Sequence, residues 1–330
     1  MSALDGIKRV IADSDLDGLM AAAVLKACNP EIEVHFGHPA LIRAGSLDHL
    51  IDRSTAICDL PFHPECGLYL DHHLTNRPSA IEQIKFEESG GICHWRDTPS
   101  AARAAYDLMK DELDLSHLEE VMPLVDDLDS GGISLQDFME DGPIMRLSRS
   151  LSLSNPEHLQ VVLNQFAKGM SLKSIIESHS ELLEEIGNER INQIKIVKQK
   201  TEIIDGLAIC DLSESNLRIN GYLVTALAGS DTIACCVIHG YMDGSIETPK
   251  RPALGASFYA NSFREIKNPY DLSMLATLLD ETGGGHANAC GCRVQPSSGS
   301  ELKETDKDYN LKQWLKLWAK RDEKMLVERQ

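Results

Sequence analysis

The apolar positions in the first half of the chain form short runs that alternate with helix-like segments. We predict strands at residues 8–12, 31–36, 56–59 and 66–70, where four such runs occur. The alanine-rich segment 18–27 follows the first run directly and is predicted to be a helix. Strands that alternate with helices are typical of a mostly parallel, doubly wound sheet. The N-terminal part is therefore predicted to be an α/β domain.

The pattern changes after a long charged segment. Residues 171–200 combine helical periodicity with many charges and are predicted to connect two domains. Strand-like runs follow at 207–212 and 232–240, with a helical pattern at about 270–279. We predict a catalytic domain over 1–187, a helical connector over 188–204, and a smaller α/β substrate-binding domain over 205–330 that ends in an amphipathic helix from Lys307.

Composition narrows the class of protein. A chain of 330 residues suits two domains, and its net charge of −19 argues against a protein that follows the phosphates of a long nucleic acid. Nine scattered cysteines favour reduced thiols over a disulfide framework. The apolar runs are too short to span a bilayer, and the N-terminus lacks the pattern of a signal peptide. We expect a cytoplasmic protein without a membrane partner.

Acidic residues and histidines follow the predicted strands. The carboxyl ends of parallel strands form the usual ligand-binding edge, and here they carry Asp13-Ser14-Asp15-Leu16-Asp17-Gly18, Asp59, Asp71-His72-His73 and Asp126-Asp127-Leu128-Asp129. Each group has a structural alternative, such as a turn or a helix cap. The first is not a calcium loop, because Val24 stands where the late glutamate belongs. Together they suit two divalent cations that act on a phosphoryl group.

These motifs resemble those of the DHH phosphoesterases. DSDLDG, the isolated Asp59, DHH and VDD occur in the order of that family's motifs. A fifth stretch, residues 282–291, resembles the GGGHxxAxG signature of the DHH-associated C-terminal domain. A turn before a small-residue helix is the structural alternative for this stretch. The resemblance spans about residues 7 to 296 and implies an active site in the cleft between the two domains.

The resemblance implies a centre of two metal ions. Manganese is the family's usual cation, and magnesium is an alternative. Asp13 stands where the family usually has a histidine, as in the DxDxDG form of RecJ-type exonucleases. Asp59 would bridge both ions, and Asp126 is preferred over Asp127 for the last position. The implied ligands are Asp13, Asp15, Asp17, Asp59, His72 and Asp126.

The resemblance also implies catalytic and substrate-binding residues. His73, with Asp71, would face the scissile phosphate, whereas Gly284, Gly285 and His286 would hold the substrate's terminal phosphate. Tyr259, in the stretch beginning at Ser257, stands where the family commonly has an arginine, which favours contact with a base or ribose there. Alternative cations for that phosphate contact are Arg251, Arg264 and Arg293.

We therefore predict a two-metal phosphodiesterase that hydrolyses short oligonucleotides, such as the linear dinucleotide pGpG, to 5′-mononucleotides. An exopolyphosphatase and a pAp phosphatase are the alternatives among enzymes. A non-catalytic nucleotide sensor is the alternative from another class, and the nearly intact motifs argue against it. A homodimer is compatible with the sequence, although no specific pattern indicates one.

Overall fold

A computed structural model describes residues 2–215, 217–245, 251–297 and 305–327. The chain divides into two compact units, Met1–Gly187 and Asn188–Gln330, called the first and second unit below. The division falls within one long helix, Ser180–Lys200. Residues 201–204, the end of the predicted connector, form a strand of the second unit's sheet. The catalytic and substrate-binding roles of the two units stay predictions.

The first unit contains a five-stranded sheet within its described residues. Its strands are β1 (Arg9–Asp13), β2 (Glu33–Gly37), β3 (Thr55–Cys58), β4 (Leu68–Asp71) and β5 (Ile92–Trp95). They lie in the order β2-β1-β3-β4-β5, and all neighbours are parallel. The predicted parallel, doubly wound sheet is confirmed. β5 was not among the predicted strands.

Helices follow the strands of the first unit. They are α1 (Leu16–Cys28), α2 (Pro39–Arg43), α3 (Ala80–Glu88), α4 (Ala101–Met109), α5 (Met122–Asp129), α6 (Leu135–Glu140), α7 (Pro143–Ser150), α8 (Pro156–Ala167), α9 (Leu172–Ser178) and α10 (Ser180–Lys200). The segment predicted as one connector helix is thus two helices, α9 and α10. Among the described helices of the whole chain, none has the length and apolar character needed to cross a membrane.

Apolar clusters cover both faces of this sheet. Successive residues of each strand point to opposite faces and so join different clusters. Val10 and Ala12 join one apolar cluster with α1, α4 and α8, whereas Ile11 joins another with Ile57 and Tyr69. Burial on both faces is the rule for parallel sheets, and it explains why β3 and β4 are buried along their whole length. Polar side chains can therefore gather only at the strand ends.

The second unit contains a mixed sheet. Its strands are β6 (Thr201–Ile204), β7 (Leu207–Ser213), β8 (Ala234–Gly240), β9 (Gly255–Ala260), β10 (Gly284–His286) and β11 (Ala289–Arg293), and its helices are α11 (Gly221–Ala228), α12 (Ser273–Ala276), α13 (Lys307–Trp318) and α14 (Arg321–Lys324). β7 and β8 are parallel, and the other neighbours are antiparallel. Trp314 of α13 packs edge-on against Phe258 of β9, with ring centroids 5.3 Å apart. The predicted second α/β domain and its C-terminal helix are confirmed.

Two local predictions were wrong. The acidic run 126–129 was expected to follow a strand, but it forms the end of α5, because Met122 and Val125 are buried one helical turn apart. The helical pattern at 270–279 yields only the short α12. The alternative of a helix at 287–291 is also excluded, since β10 and β11 form an antiparallel hairpin there.

Candidate metal centre

Three neighbouring strands of the first unit end in aspartates at the same edge of the sheet. Asp13 is the last residue of β1, Asp59 directly follows β3, and Asp71 is the last residue of β4. The chain leaves the neighbouring strands β1 and β3 in different directions, which opens the crevice where doubly wound sheets bind ligands. The strand order therefore brings together carboxylates that lie far apart in sequence.

The DSDLDG motif turns the chain from β1 into α1. Asp15 caps the helix, and its Oδ1 accepts a hydrogen bond from the Gly18 amide at 3.0 Å. Gly18 lies so close to the preceding strand that a Cβ there would come within 2.5–2.8 Å of the Asp13 backbone. The glycine thus permits the tight turn that places Asp13, Asp15 and Asp17 together.

We predict that Gly18→Ala destabilises the protein. Alanine normally stabilises a helix relative to glycine, but here the added methyl group overlaps backbone atoms that cannot rotate away. Overpacking of this kind costs about 1–3 kcal/mol of the free energy of unfolding, which urea denaturation measures. Gly142→Ala is the control, because its Cβ would meet nothing within 4 Å. Equal or greater stability of Gly18→Ala would contradict the prediction.

Asp17 is buried in the first turn of α1 and is held by another helix. Its two carboxylate oxygens accept hydrogen bonds from the amides of Ala101 and Ala102, at 2.8 and 2.7 Å, in the first turn of α4. Burial, with the nearby Asp129 and Asp15, nevertheless raises the pKa of Asp17 well above its usual value. A cation beside this carboxylate would favour its charged form.

Asp59 has a left-handed backbone, with φ of 58°, and a side chain that is 3% exposed. Its amide donates to the Leu70 carbonyl at 3.0 Å, which fixes the residue against β4. Its Oδ1 is buried and has no hydrogen-bond partner. Burial and the neighbouring carboxylates, Asp17 first among them, raise the pKa of Asp59 well above its usual value. His73 Nδ1 lies 3.3 Å from this oxygen but makes no hydrogen bond to it. A buried carboxylate oxygen without a hydrogen bond is a candidate ligand for a cation.

His72 directs one ring nitrogen toward the carboxylates. Its Nδ1 lies 3.0 Å from the Thr98 carbonyl, which can only accept, so Nδ1 donates to it. Nε2 is buried without a hydrogen-bond partner, 3.1 Å from Asp129 Oδ2, 3.6 Å from Asp17 Oδ2 and 3.9 Å from Asp59 Oδ1. A carbonyl that holds the opposite nitrogen is the usual arrangement for a histidine that binds metal.

Asp71 and His73 form a hydrogen-bonded pair beside this group. Asp71 Oδ1 lies 3.0 Å from His73 Nδ1, and Asp71 Oδ2 accepts a hydrogen bond from the Tyr69 hydroxyl at 2.8 Å. Burial opposes ionisation of Asp71, but the hydrogen bonds from His73 and Tyr69 hold its pKa below the usual value. The bond to Asp71 in turn raises the pKa of His73. This pair therefore favours a carboxylate next to a protonated imidazole.

Asp126, the ligand that the sequence predicted on α5, is not the aspartate of this helix that lies beside His72. Asp126 points away from His72, and its carboxylate accepts hydrogen bonds from Ser100 and Arg103. Asp129, one helical turn further on, lies 3.1 Å from His72 Nε2. Asp127 is exposed. The geometry thus favours Asp129 as the ligand beside His72, a role that the sequence prediction assigned to Asp126. The sequence contained one indication of this, because Asp129 lies one helical turn after Asp126 of the VDD motif.

Three overlapping groups of potential ligands result. In each, one ligand atom per residue lies within 4.8 Å of all the others, and the groups are Asp13–Asp15–Asp59, Asp17–His72–Asp129 and Asp59–Asp71–His72–His73. Asp59 belongs to the first and third of these groups, and His72 belongs to the second and third. Carboxylates with one or two imidazoles suit Mn²⁺ or Mg²⁺, and the unpartnered atoms of Asp59 and His72 lie inside these groups. The residues therefore fit a metal centre.

The crowded carboxylates predict an unusual pH dependence of stability. Burial, together with Asp15, raises the pKa of Asp13 from 3.8 to about 7, and the pKa values of Asp17 and Asp59 are also raised. The folded state then binds more protons than the unfolded state between about pH 4 and 7, so the free energy of unfolding falls as the pH rises through this window. With EDTA present, we expect the melting temperature to increase from about pH 7 to pH 5.

Scanning fluorimetry with EDTA or with Mn²⁺ measures this dependence. Mn²⁺ should reverse it, because cations require deprotonated carboxylates. Asp13→Asn should show a weaker dependence than the wild type in EDTA. A metal-free melting temperature that rises between pH 5 and 7 would be the opposite of what the raised pKa values require.

The predicted substrate-binding residues lie in the second unit's sheet. Gly284 and Gly285 are in β10, with φ values of 158° and 135°, and β10 pairs with β11. The backbone of His286 ends β10, but its side chain lies outside the described part of the chain. Ser257 and Tyr259 in β9 pair with Gly291 and Ala289 of β11. The β10–β11 hairpin, which contains the two glycines, thus lies next to β9, which contains Tyr259.

The alternative cations in this unit have other contacts. Arg251 pairs with Asp243, with a nitrogen–oxygen distance of 2.5 Å. Arg264 Nε donates to the Ser230 carbonyl at 3.1 Å. Arg293 is exposed, and it is its backbone amide that donates to Asp280. The ring of Tyr259 lies 5.6 Å from that of Tyr222. Tyr259 therefore belongs to an aromatic pair with Tyr222.

No family model matches this sequence, and no curated protein is similar to it. Solved structures of other proteins, however, have folds similar to that of this chain. The pGpG-specific phosphodiesterase PggH from Vibrio cholerae has a TM-score of 0.70 at 19% identity, over 95% of this chain and 98% of that chain. Exonuclease RecJ bound to manganese has a TM-score of 0.50 at 14% identity, over 97% of this chain and 92% of that chain.

The chain shares its fold with these solved structures. The resemblance predicted from the five motifs is thereby confirmed for the fold. Since the DHH fold, like any fold, does not by itself specify a reaction, the chemistry rests on the acidic side chains and histidines described above.

Proposed function

We propose that this protein is a metal-dependent phosphodiesterase that hydrolyses short oligonucleotides to 5′-mononucleotides. The observation that carries the proposal is the pair of buried, unpartnered atoms, Asp59 Oδ1 and His72 Nε2, among carboxylates at the ligand-binding edge of the sheet. The similarity to a pGpG-specific phosphodiesterase supports a linear dinucleotide as the substrate to test first. The proposal also agrees with the net charge of −19, which disfavours long polyanions.

The ligand groups suggest how two cations are held. Asp13, Asp15 and Asp59 would hold one ion, and Asp17, His72 and Asp129 the other. Asp59 Oδ1 lies 3.9 Å from His72 Nε2, so Asp59 is the candidate to contact both ions. Mn²⁺ is the first candidate and Mg²⁺ the second, because carboxylates dominate both groups. Divalent cations supply charge stabilisation to a phosphoryl group and activate water at neutral pH.

The protein's own residues orient the reaction. His73 Nδ1 donates a hydrogen bond to Asp71, so the other ring nitrogen is left to contact the scissile phosphate or the leaving oxygen. Tyr69 and the amides of His72 and His73 donate to Asp71, which fixes its carboxylate. The indole of Trp95 donates to the His73 carbonyl at 3.0 Å and limits movement of the loop that carries it. His73 thus has one fixed orientation.

In the second unit, the β10–β11 hairpin would bind the end of the substrate. Glycines 284 and 285 leave their backbone amides accessible to a phosphate, since no Cβ shields them. Tyr259 and Tyr222 offer aromatic faces to a base or ribose. This assignment extends the predicted roles of Gly284, Gly285, His286, Ser257 and Tyr259.

A hydrolysis assay with Mn²⁺ tests the proposal. The substrates are pGpG, a mixed-base diribonucleotide, a long RNA strand, pAp and polyphosphate. We expect mononucleotides from the dinucleotides and little product from the long RNA. Orthophosphate from polyphosphate or pAp, with unchanged dinucleotides, would replace the proposal by one of the alternative phosphatases. Inactivity toward all five would favour a nucleotide sensor.

A further inference from the structure

Backbone amides in the first turn of α4 donate hydrogen bonds to a carboxylate of the proposed metal centre. Three of the four amides that the start of this helix leaves without an internal partner are those of Ala101, Ala102 and Arg103. The first two donate to Asp17, and the Arg103 amide donates to the hydroxyl of Ser100 at 2.9 Å. Just before the helix, the Thr98 carbonyl holds His72 Nδ1. This one segment, residues 98–103, therefore orients two of the proposed ligands.

Asp126 of α5 holds that segment in place. Its Oδ1 accepts a hydrogen bond from the Ser100 hydroxyl at 2.7 Å. Its Oδ2 accepts two from Arg103, from Nε at 3.0 Å and from Nη2 at 2.6 Å. Ser100 is completely buried, and the Asp126 side chain is 15% exposed. A charge-assisted pair in such a place restrains geometry more than an exposed ion pair does.

The same helix carries a proposed ligand one turn further on. Asp126 and Asp129 are three residues apart, so they lie on the same face of α5. Asp126 contacts α4, whereas Asp129 lies beside His72. The contact of Asp126 with α4 thus sets the position of Asp129 relative to Asp17 and His72.

We propose that Asp126, with Ser100 and Arg103, is a positioning residue of the metal centre and not a metal ligand. The proposal rests on the proposed metal-dependent function. Removal of the Asp126 charge frees Arg103 and the first turn of α4, and Asp17 and His72 lose their fixed orientation toward Asp129. Outer contacts of this kind change metal affinity by about 10–100-fold while the ligand number stays the same.

Titration calorimetry with Mn²⁺ on the full chain tests this inference. The variants are Asp126→Asn, Arg103→Met and the double variant, with Asp127→Asn as the exposed control and Asp129→Asn as the ligand variant. Asp126→Asn and Arg103→Met should each bind Mn²⁺ about 10-fold more weakly with unchanged stoichiometry. The double variant should be no weaker than either single variant, because all three break one network. Asp129→Asn should reduce the number of bound ions.

Activity at increasing Mn²⁺ separates positioning from a general loss of structure. Asp126→Asn should recover at least half of the wild-type kcat at saturating Mn²⁺, since the ligands themselves are intact. Unchanged Mn²⁺ affinity in both single variants, or one ion fewer in Asp126→Asn, would overturn the inference and leave the proposed function standing. Absence of Mn²⁺ binding by the wild type would overturn both.

Discussion

Asp59→Asn is expected to remove nearly all hydrolytic activity while the protein stays folded. Asp59 is the carboxylate common to two ligand groups, and its Oδ1 accepts no hydrogen bond, although His73 Nδ1 lies 3.3 Å away. Asparagine tolerates the left-handed backbone at this position but carries no charge. The loss of several kcal/mol of charge stabilisation lowers kcat by about 10³-fold or more. Assays of pGpG hydrolysis at saturating Mn²⁺ measure this change.

Although Asp59→Asn is expected to lose activity, its thermal stability without metal should increase. Burial and like charges raise the pKa of Asp59, so its carboxylate destabilises the metal-free protein at neutral pH. Asp59→Asn should therefore melt at a higher temperature than the wild type in EDTA and gain less from added Mn²⁺. Asp205→Asn is a matched control, since Asp205 also has a left-handed backbone, with φ of 50°, but lies in the second unit. Substantial activity of Asp59→Asn would exclude a bridging role.

His73→Gln is expected to lower kcat by about 10²–10⁴-fold, the usual contribution of a positioned proton donor. Glutamine can still donate to Asp71 but cannot carry the charge that the Asp71 carboxylate favours on His73. Mn²⁺ affinity should stay close to that of the wild type, because His72, and not His73, directs an unpartnered nitrogen toward Asp17 and Asp129. Kinetics and Mn²⁺ titration of the same preparation measure both quantities.

His49→Gln is the control for this variant, since His49 is an exposed histidine of the same unit. If His73→Gln loses a bound Mn²⁺ ion, His73 is a ligand and its proposed role in catalysis is wrong. If its kcat is unchanged, another group contacts the scissile phosphate.

The parallel sheet could be predicted because its strands carry their own signal. Runs at 8–12, 31–36, 56–59 and 66–70 predicted β1 to β4 to within a few residues, because strands buried on both faces are continuously apolar. β5 escaped prediction, since it is an edge strand whose residues, Ile92 to Trp95, are only partly buried. The hairpin of β10 and β11 was also hidden, because glycine and alanine carry little periodic signal.

The sequence by itself determined three of the four acidic strand ends and the order of the motifs, since these depend on neighbours in the chain. Only the tertiary structure decided that Asp129, and not Asp126, lies beside His72, because this depends on which face α5 turns toward α4. It also decided that the amides holding Asp17 come from a helix 84 residues further along the chain. Hydrogen bonds over such separations arise from packing, which local periodicity does not encode.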